Sequence, residues 1–361
     1  MNYRFAELLD AETISGATTK TIDLDYQKML SRIDIRLHRT KTLDGMTAAG
    51  PSDITKIEIV DGADALVSLN GYEAQALMIY DRKMPSATYG QMLSGSSQVD
   101  FFGIDFGRKL WDRALAFDAS RFVNPQLKIS YDVNNSDSGV TSATLEVYGS
   151  FFEDRAITPV GMLAPIEHFT NTLGADNTWE NVELPTDRAI RRMLVRLYYS
   201  GYEPWYVADE LRLTEDSGNR DVFYWDSEVL YRLMHTLYPP VEQFFVGTAS
   251  AAGVTYYVTP SDYWGLPLIT NQSALTVIAP DGVAAARGGT ITLKGASDYQ
   301  CVGVFKGYLP WHTYDFPLGD LDDIDDWYDP SGKGKVEMRI KSHTAGTSGT
   351  GSVVLQKLRR Y

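Results

Sequence analysis

The sequence predicts an all-β protein, a double jelly roll made of two tandem eight-stranded β-sandwiches, each with one short helix. Three observations carry that expectation. The alternating run Leu127-Lys128-Ile129-Ser130-Tyr131, a polar turn-rich stretch and a second run Ser142 to Tyr148 have a counterpart at the C-terminus. There Val336-Glu337-Met338-Arg339-Ile340 leads through the Thr-, Ser- and Gly-rich residues 343–351 to Ser352-Val353-Val354-Leu355-Gln356-Lys357-Leu358. The two pairs match at an offset of about 209 to 210 residues, as expected of one structural unit present twice. Second, Gly71 to Tyr80 and Asp226 to His235 both read as short helices that follow strand-like runs, Ile57 to Leu69 and Glu210 to Trp225. Third, 22 Tyr, 14 Phe and 7 Trp, together with many Thr and Val, favour pleated over helical structure.

Taken in order, residues 1–20 read as a mixed-charge N-terminal arm with Phe5, Leu8 and Leu9 on one face of a short helix. The first roll is expected over residues 21–155. Ile22, Leu24 and Tyr26 alternate, and Ile33 to Arg39 is a strict period-2 strand. Thr42 to Asp53 is a loop. Ile54 to Val60 and Ala65 to Leu69 flank Asp61-Gly62, a hairpin signal. After the helix, Met84 to Gln98 is a loop, and Val99 to Phe106 and Arg113 to Phe117 are strand candidates ahead of the repeated pair.

The second roll, residues 156–361, opens with Gly161 to Phe169 and Trp179 to Leu184. Arg191 to Tyr199 fits helix or strand; strand is chosen because the first copy has a strand there and Gly201 and Pro204 stop the run early. Asp226 is the expected N-cap of the second helix, with Leu230, Leu233, Met234 and Leu237 on one face. Aligning Leu77-Met78 with Leu233-Met234 gives an offset of about 156, so the second copy holds roughly 53 extra residues before its last strands. The surplus falls at about residues 239–297, where short runs at Val254 to Val258, Ala274 to Ile278 and Thr290 to Leu293 alternate with Gly, Pro, Ala and Asn. An insertion that carries its own hairpins belongs in a loop at one end of the sandwich.

Chain length suits two domains. A net charge of −14 with dispersed Lys and Arg argues against a nucleic-acid surface, because phosphate contacts need clustered cations. Cys301 is the only cysteine, which excludes an intrachain disulfide framework and a cysteine-based zinc site; it reads as a small core residue. The first ten residues lack a signal-peptide run and no stretch reaches membrane-spanning length, so synthesis in a host cytoplasm is expected. The sequons Asn134-Asn135-Ser136 and Asn271-Gln272-Ser273 carry no weight without export.

No catalytic, cofactor or metal constellation is expected. His38, His168, His235, His312 and His343 show no metal spacing. The Gly-rich stretch Gly346 to Gly351 lies between strands and lacks the lysine of a phosphate loop. Seven aspartates between Asp315 and Asp329 offer oxygen ligands for Ca²⁺ without EF-hand spacing, and otherwise form a solvated acidic turn. An acidic, Tyr- and Trp-rich sandwich also suits a lectin-like glycan binder, such as a spike or receptor-binding protein, or less well a glycoside hydrolase.

The run Ile57-Glu58-Ile59-Val60-Asp61-Gly62 leading to the helix at Gly71, the stretch Asp322 to Pro330 and the ending Val353 to Tyr361 resemble the double jelly-roll major capsid proteins of tailless icosahedral viruses, particularly bacteriophages with an internal lipid membrane. The resemblance covers most of the chain as an order of elements. It implies rolls standing side by side and perpendicular to the shell, and a homotrimer forming a pseudo-hexagonal capsomer in the virion. Capsomers would contact neighbouring capsomers and minor or vertex proteins. The N-terminal arm would lie beneath, towards membrane or neighbours, and residues 239–297 would build outward towers.

Overall fold

A computed structural model describes residues 2–42, 45–83, 89–91, 95, 97–137, 139–153, 156–261, 264–269, 275–278, 289–295 and 299–361. The first half contains β1 (Tyr3–Ile14), β2 (Ala17–Asp23), β3 (Leu30–Lys41), β4 (Ile54–Asp61), β5 (Asp64–Leu69), α1 (Gly71–Arg82), β6 (Tyr89–Gln91), β7 (Ser97–Asp105), β8 (Pro125–Asp132) and β9 (Val140–Phe152). The second begins with β10 (Gly161–Thr172), β11 (Trp179–Glu183), β12 (Ile190–Tyr198), β13 (Ala208–Glu215), β14 (Arg220–Asp226) and α2 (Ser227–Leu237). Then come β15 (Val241–Ala249), β16 (Val254–Tyr257), β17 (Pro260–Ser261), β18 (Trp264–Ile269), β19 (Leu275–Ile278), β20 (Thr290–Gly295), β21 (Tyr299–Gly307) and β22 (Leu309–Pro310). The chain closes with β23 (Thr313–Pro317), β24 (Glu337–Ser342) and β25 (Thr350–Arg360).

Strand order makes the repeat explicit. The first roll faces β1-β9-β3-β7 against β2-β8-β4-β5, and the second faces β10-β25-β12-β23 against β11-β24-β13-β14. Each strand of one set has its counterpart at the same place in the other, eight strands per roll, so the fold is a double jelly roll. The inward faces follow from the period of two. Leu127, Ile129 and Tyr131 are buried, as are Val336, Met338 and Ile340, while Lys128 and Ser130 between the former are only half-buried. The rolls share one continuous hydrophobic core that runs from Ile14 to Leu355.

Three local expectations are corrected. The helix expected within residues 1–20 is strand β1, which pairs antiparallel with β9 along its length. Its register slips between Glu7 and Leu9 and again between Leu9 and Glu12. Such bulges put consecutive residues on one face, so Leu8 and Leu9 both pack on the core and the spacing imitates a helix. Arg113 to Phe117 is a loop with isolated bridges at Leu115 and Phe117, and Leu115, Ala116 and Phe117 are buried as a plug. The loop Met84 to Gln98 contains the short strand β6, which pairs with β7.

The inserted region leaves after α2 and returns at β23. Its β15, β21 and β18 extend the first roll's sheet through parallel pairing of β6 with β15. Phe245, Tyr256, Val258, Ile291, Leu293 and Phe305 form a small core of their own, joined from the first roll by Met46. Residues 262–263, 270–274, 279–288 and 296–298, including the second sequon, lie outside the described residues. Cys301 is in β21 and its side chain is likewise not described. Because β15 and β21 pair from Val241↔Gly307 to Ala249↔Tyr299, replacing residues 250–298 with a two-residue turn keeps that hairpin. The shortened protein is expected to remain soluble and to melt in one transition, since the main core is untouched. Loss of cooperative melting would place the insertion inside that core.

Candidate functional site: the seam between the rolls

The most heavily built polar arrangement lies between the rolls, around α1. Asn70 caps the helix: its side chain accepts from the Glu73 amide at 3.0 Å, and the Glu73 carboxyl group accepts from the Asn70 amide at 3.1 Å. Gly71 is needed because a Cβ there would sit 2.1 Å from the Pro51 carbonyl oxygen. Most of α1 is buried, polar residues included, because one side rests on the first roll and the other on the second. A helix covered on all sides is no longer amphipathic.

The second roll meets α1 with polar groups. Ser352 Oγ donates to Glu73 Oε1 at 3.0 Å, Trp311 Nε1 to Gln75 Oε1 at 2.8 Å, and Tyr80 Oη to the Thr313 carbonyl at 2.6 Å. Asp81 receives Arg191 Nη1 at 2.5 Å and Gln356 Nε2 at 2.9 Å, with Arg192 Nη2 at 3.5 Å. Arg192 Nη1 also lies 3.5 Å from Asp315, which accepts a hydrogen bond from Tyr238. The Arg196 guanidinium sits 4.3 Å from the centre of the Tyr72 ring. Main chains touch too, through the parallel bridge between Ser68 of β5 and Ile166 of β10.

Burial sets the electrostatics of this seam. Desolvation alone would raise the Asp81 carboxyl, but Arg192 and Arg191 outweigh it and hold its pKa below the ordinary value. Desolvation acts to lower Arg192, and the Asp315 and Asp81 carboxylates override it, so its pKa is raised. Burial, then the Glu167 charge, pushes Glu73 up to about 8. Buried charges of this kind are stable only with partners in place. The arrangement therefore fixes one roll against the other.

Chemistry-bearing residues singled out in the sequence do not converge. His38 is on β3, its pKa lowered by burial and Arg36; His168 hydrogen-bonds the Glu183 carbonyl. His235 stacks on Tyr308 with ring centres 3.7 Å apart, His312 packs edge-on against Tyr198, and His343 lies beside Tyr206 and Asp209. Of the seven aspartates, Asp315 belongs to the seam. Asp320, Asp323, Asp326 and Asp329 accept from the backbone amides of Asp322, Asp325, Asp320 and Ser331. Those bonds shape the turn that buries Trp327 against Leu115, Leu163 and Leu358. Among the described residues no group of three or more His, Cys, Asp or Glu could hold a metal ion. Gly346 ends a short turn and Gly351 is within β25.

Sequence reasoning missed the seam. Its visible sign was three arginines, Arg191, Arg192 and Arg196, in a buried strand.

No protein-family model and no curated protein matches the chain. Among solved structures, it is similar to the major capsid protein of STIV, Sulfolobus Turreted Icosahedral Virus, with 11% identity, a TM-score of 0.62 and coverage of 99% of this chain and 96% of that one. VP54 of PBCV-1 aligns at 9% identity, TM-score 0.58, over 99% and 94%. The major capsid protein P2 from bacteriophage PM2 aligns at 10%, TM-score 0.55, over 99% and 98%. At these identities the likeness is one of fold. It runs through both rolls and nearly the full length of each chain.

Proposed function

We propose that the protein is a structural, non-enzymatic major capsid subunit of an icosahedral virus, forming homotrimers whose pseudo-hexagonal outline tiles the shell. The observation that carries this reading is the pair of equivalent rolls locked by a buried polar seam. Two like blocks per chain, taken three times, approximate sixfold symmetry. The chain divides near residue 155, with residues 1–155 forming one block and 156–361 the other. β1 starts and β25 ends at one end of the rolls, whereas the insertion rises from the opposite end, where Met46 and Thr255 hydrogen-bond through their main chains. The end with the termini faces inward, towards minor capsid proteins or an internal lipid layer, and the insertion faces outward. Among the described residues no helix is long and apolar enough to cross a membrane.

Multi-angle light scattering of the purified protein at micromolar concentration is expected to give three times the chain mass, and negative-stain images should show hexagonal outlines. A stable monomer that binds a glycan saturably would replace this reading with the lectin-like one.

A further inference from the structure

Within the chain, the first roll's sheet edge and helix are both covered by the second roll. β5 is joined at Ser68 to Ile166 of β10 by a parallel bridge, and α1 is buried under β12, β23 and β25. Their counterparts in the second roll are bare. Among the described residues β14 ends its sheet with no strand beyond it. On α2, the positions matching Glu73, Ala76, Tyr80 and Asp81 are Val229, Arg232, Thr236 and Leu237, and all four are exposed, Val229 at 46% and Leu237 at 50%. Beside them an apolar groove of about 420 Å³ is lined by Trp225, Leu233, Leu237, Phe316, Leu318 and Tyr328. At the other limit of the molecule, β1 also ends its sheet, and β1 is the counterpart of β10. The chain thus carries one half of its internal contact at each extremity.

We propose that this bare surface of the second roll, β14 with α2, is occupied by the first roll of a second copy, which enters with β1 parallel to β14 and repeats between chains the contact seen within one. The proposal rests on the capsomer reading and deepens it by assigning the contact. The repeat sets the register. Ser68 and Ile166 form the internal bridge. Tyr224 stands two residues before the Asp226 cap as Ser68 stands two before the Asn70 cap. Ile166 pairs with Leu355 as Glu12 pairs with Leu145, and Leu355 is the match of Leu145 at the 210-residue offset. Tyr224 of one copy therefore lies against Glu12 of the next. On the face above, Arg36 and Glu146 are ladder partners as Arg192 and Gln356 are, so they take the same place opposite α2. Where Asp81 meets Arg192 inside the chain, Leu237 meets the aliphatic stem of Arg36, whose charge Glu146 already holds at 2.5 Å. Such a contact is head-to-tail and uses different patches on the two copies, so it closes a ring rather than a twofold dimer. Exposed edge strands such as β1 and β14 favour this kind of addition.

Two experiments test it. In a Cys301→Ser background, Tyr224→Cys together with Glu12→Cys should form interchain disulfides on mild oxidation, giving linked dimers and trimers on a non-reducing gel, whereas either cysteine alone should not. Separately, Leu237→Asp and Val229→Asp should each reduce the scattering mass from three chains to one at a concentration where Val123→Asp, on a remote exposed loop, leaves it at three; circular dichroism and melting should be unchanged. Trimers that persist in both aspartate variants and give no disulfide from the cysteine pair would overturn this contact while leaving the capsomer reading in place. Dimers linked by Tyr224→Cys alone would show β14 meeting β14, and would also overturn it. A wild-type monomer would instead remove the capsomer reading itself.

Discussion

Replacing Arg192 with methionine is expected to destabilise the protein by about 3–5 kcal/mol, because it leaves a buried carboxylate without its cation. Arg192 is among the largest fully buried side chains. It lies between Asp81 and Asp315 at 3.5 Å from each. The two carboxylates are not equally dependent on it. Asp81 keeps Arg191 and Gln356 as direct partners, whereas among the described residues Asp315 keeps the Tyr238 hydroxyl and the more distant charge of Arg191. Adding Asp315→Asn to Arg192→Met should therefore recover most of the loss, since asparagine still accepts from Tyr238 and carries no charge to desolvate. Urea unfolding of the two single variants and the double variant measures this. Costs that simply add would mean that Arg192 acts through packing and not through Asp315. The shared core predicts, in addition, one cooperative transition for both rolls in every variant.

What could be read from the sequence was local. β8 and β24 keep register except for one slip each at the far end, opposite Ile54 and Lys56 and opposite Ala208 and Glu210, so their alternation survives in the letters and the repeat is visible. β4, β5 and the turn at Gly62, whose φ is +61°, follow from Asp61-Gly62 in the same way. β1 was misread because its bulges replace period two with neighbouring Leu8 and Leu9. Arg113 to Phe117 was misread because a buried loop and a strand both require consecutive apolar residues.

The seam was hidden for a different reason. The partners of Glu73 and Asp81 lie 279 and 275 residues further along the chain, at Ser352 and Gln356. Nothing within α1 indicates that Glu73, Gln75 and Asp81 face protein instead of water. The comparison that reveals it is between the copies: at matching positions α1 carries Glu, Ala, Tyr and Asp, whereas α2 carries Val, Arg, Thr and Leu. Both helices came from one repeat position, yet they have different neighbours.

Raising the pH from 5 to 8 is expected to weaken the seam, and Glu73→Gln should abolish that response. Glu73 is buried, with Glu167 hydrogen-bonded beside it, and its pKa stands at about 8 against an ordinary 4.5. Between these values the folded protein holds a proton that the unfolded chain has released. Stability therefore falls as pH rises through this window, by on the order of 3 kcal/mol at its upper end. Above it Glu73 carries a buried charge where β5 meets β10 and α1 meets Ser352. Glutamine at this position still accepts from the Asn70 amide, so the helix cap is kept, and it can still donate to Glu167 without titrating. The unfolding midpoints of wild type and variant should be close at pH 5 and separate as pH increases, with Glu73→Gln the more stable at pH 8. Parallel curves across the whole range would show that Glu73 holds no proton in the folded protein, and would leave the seam without this pH dependence.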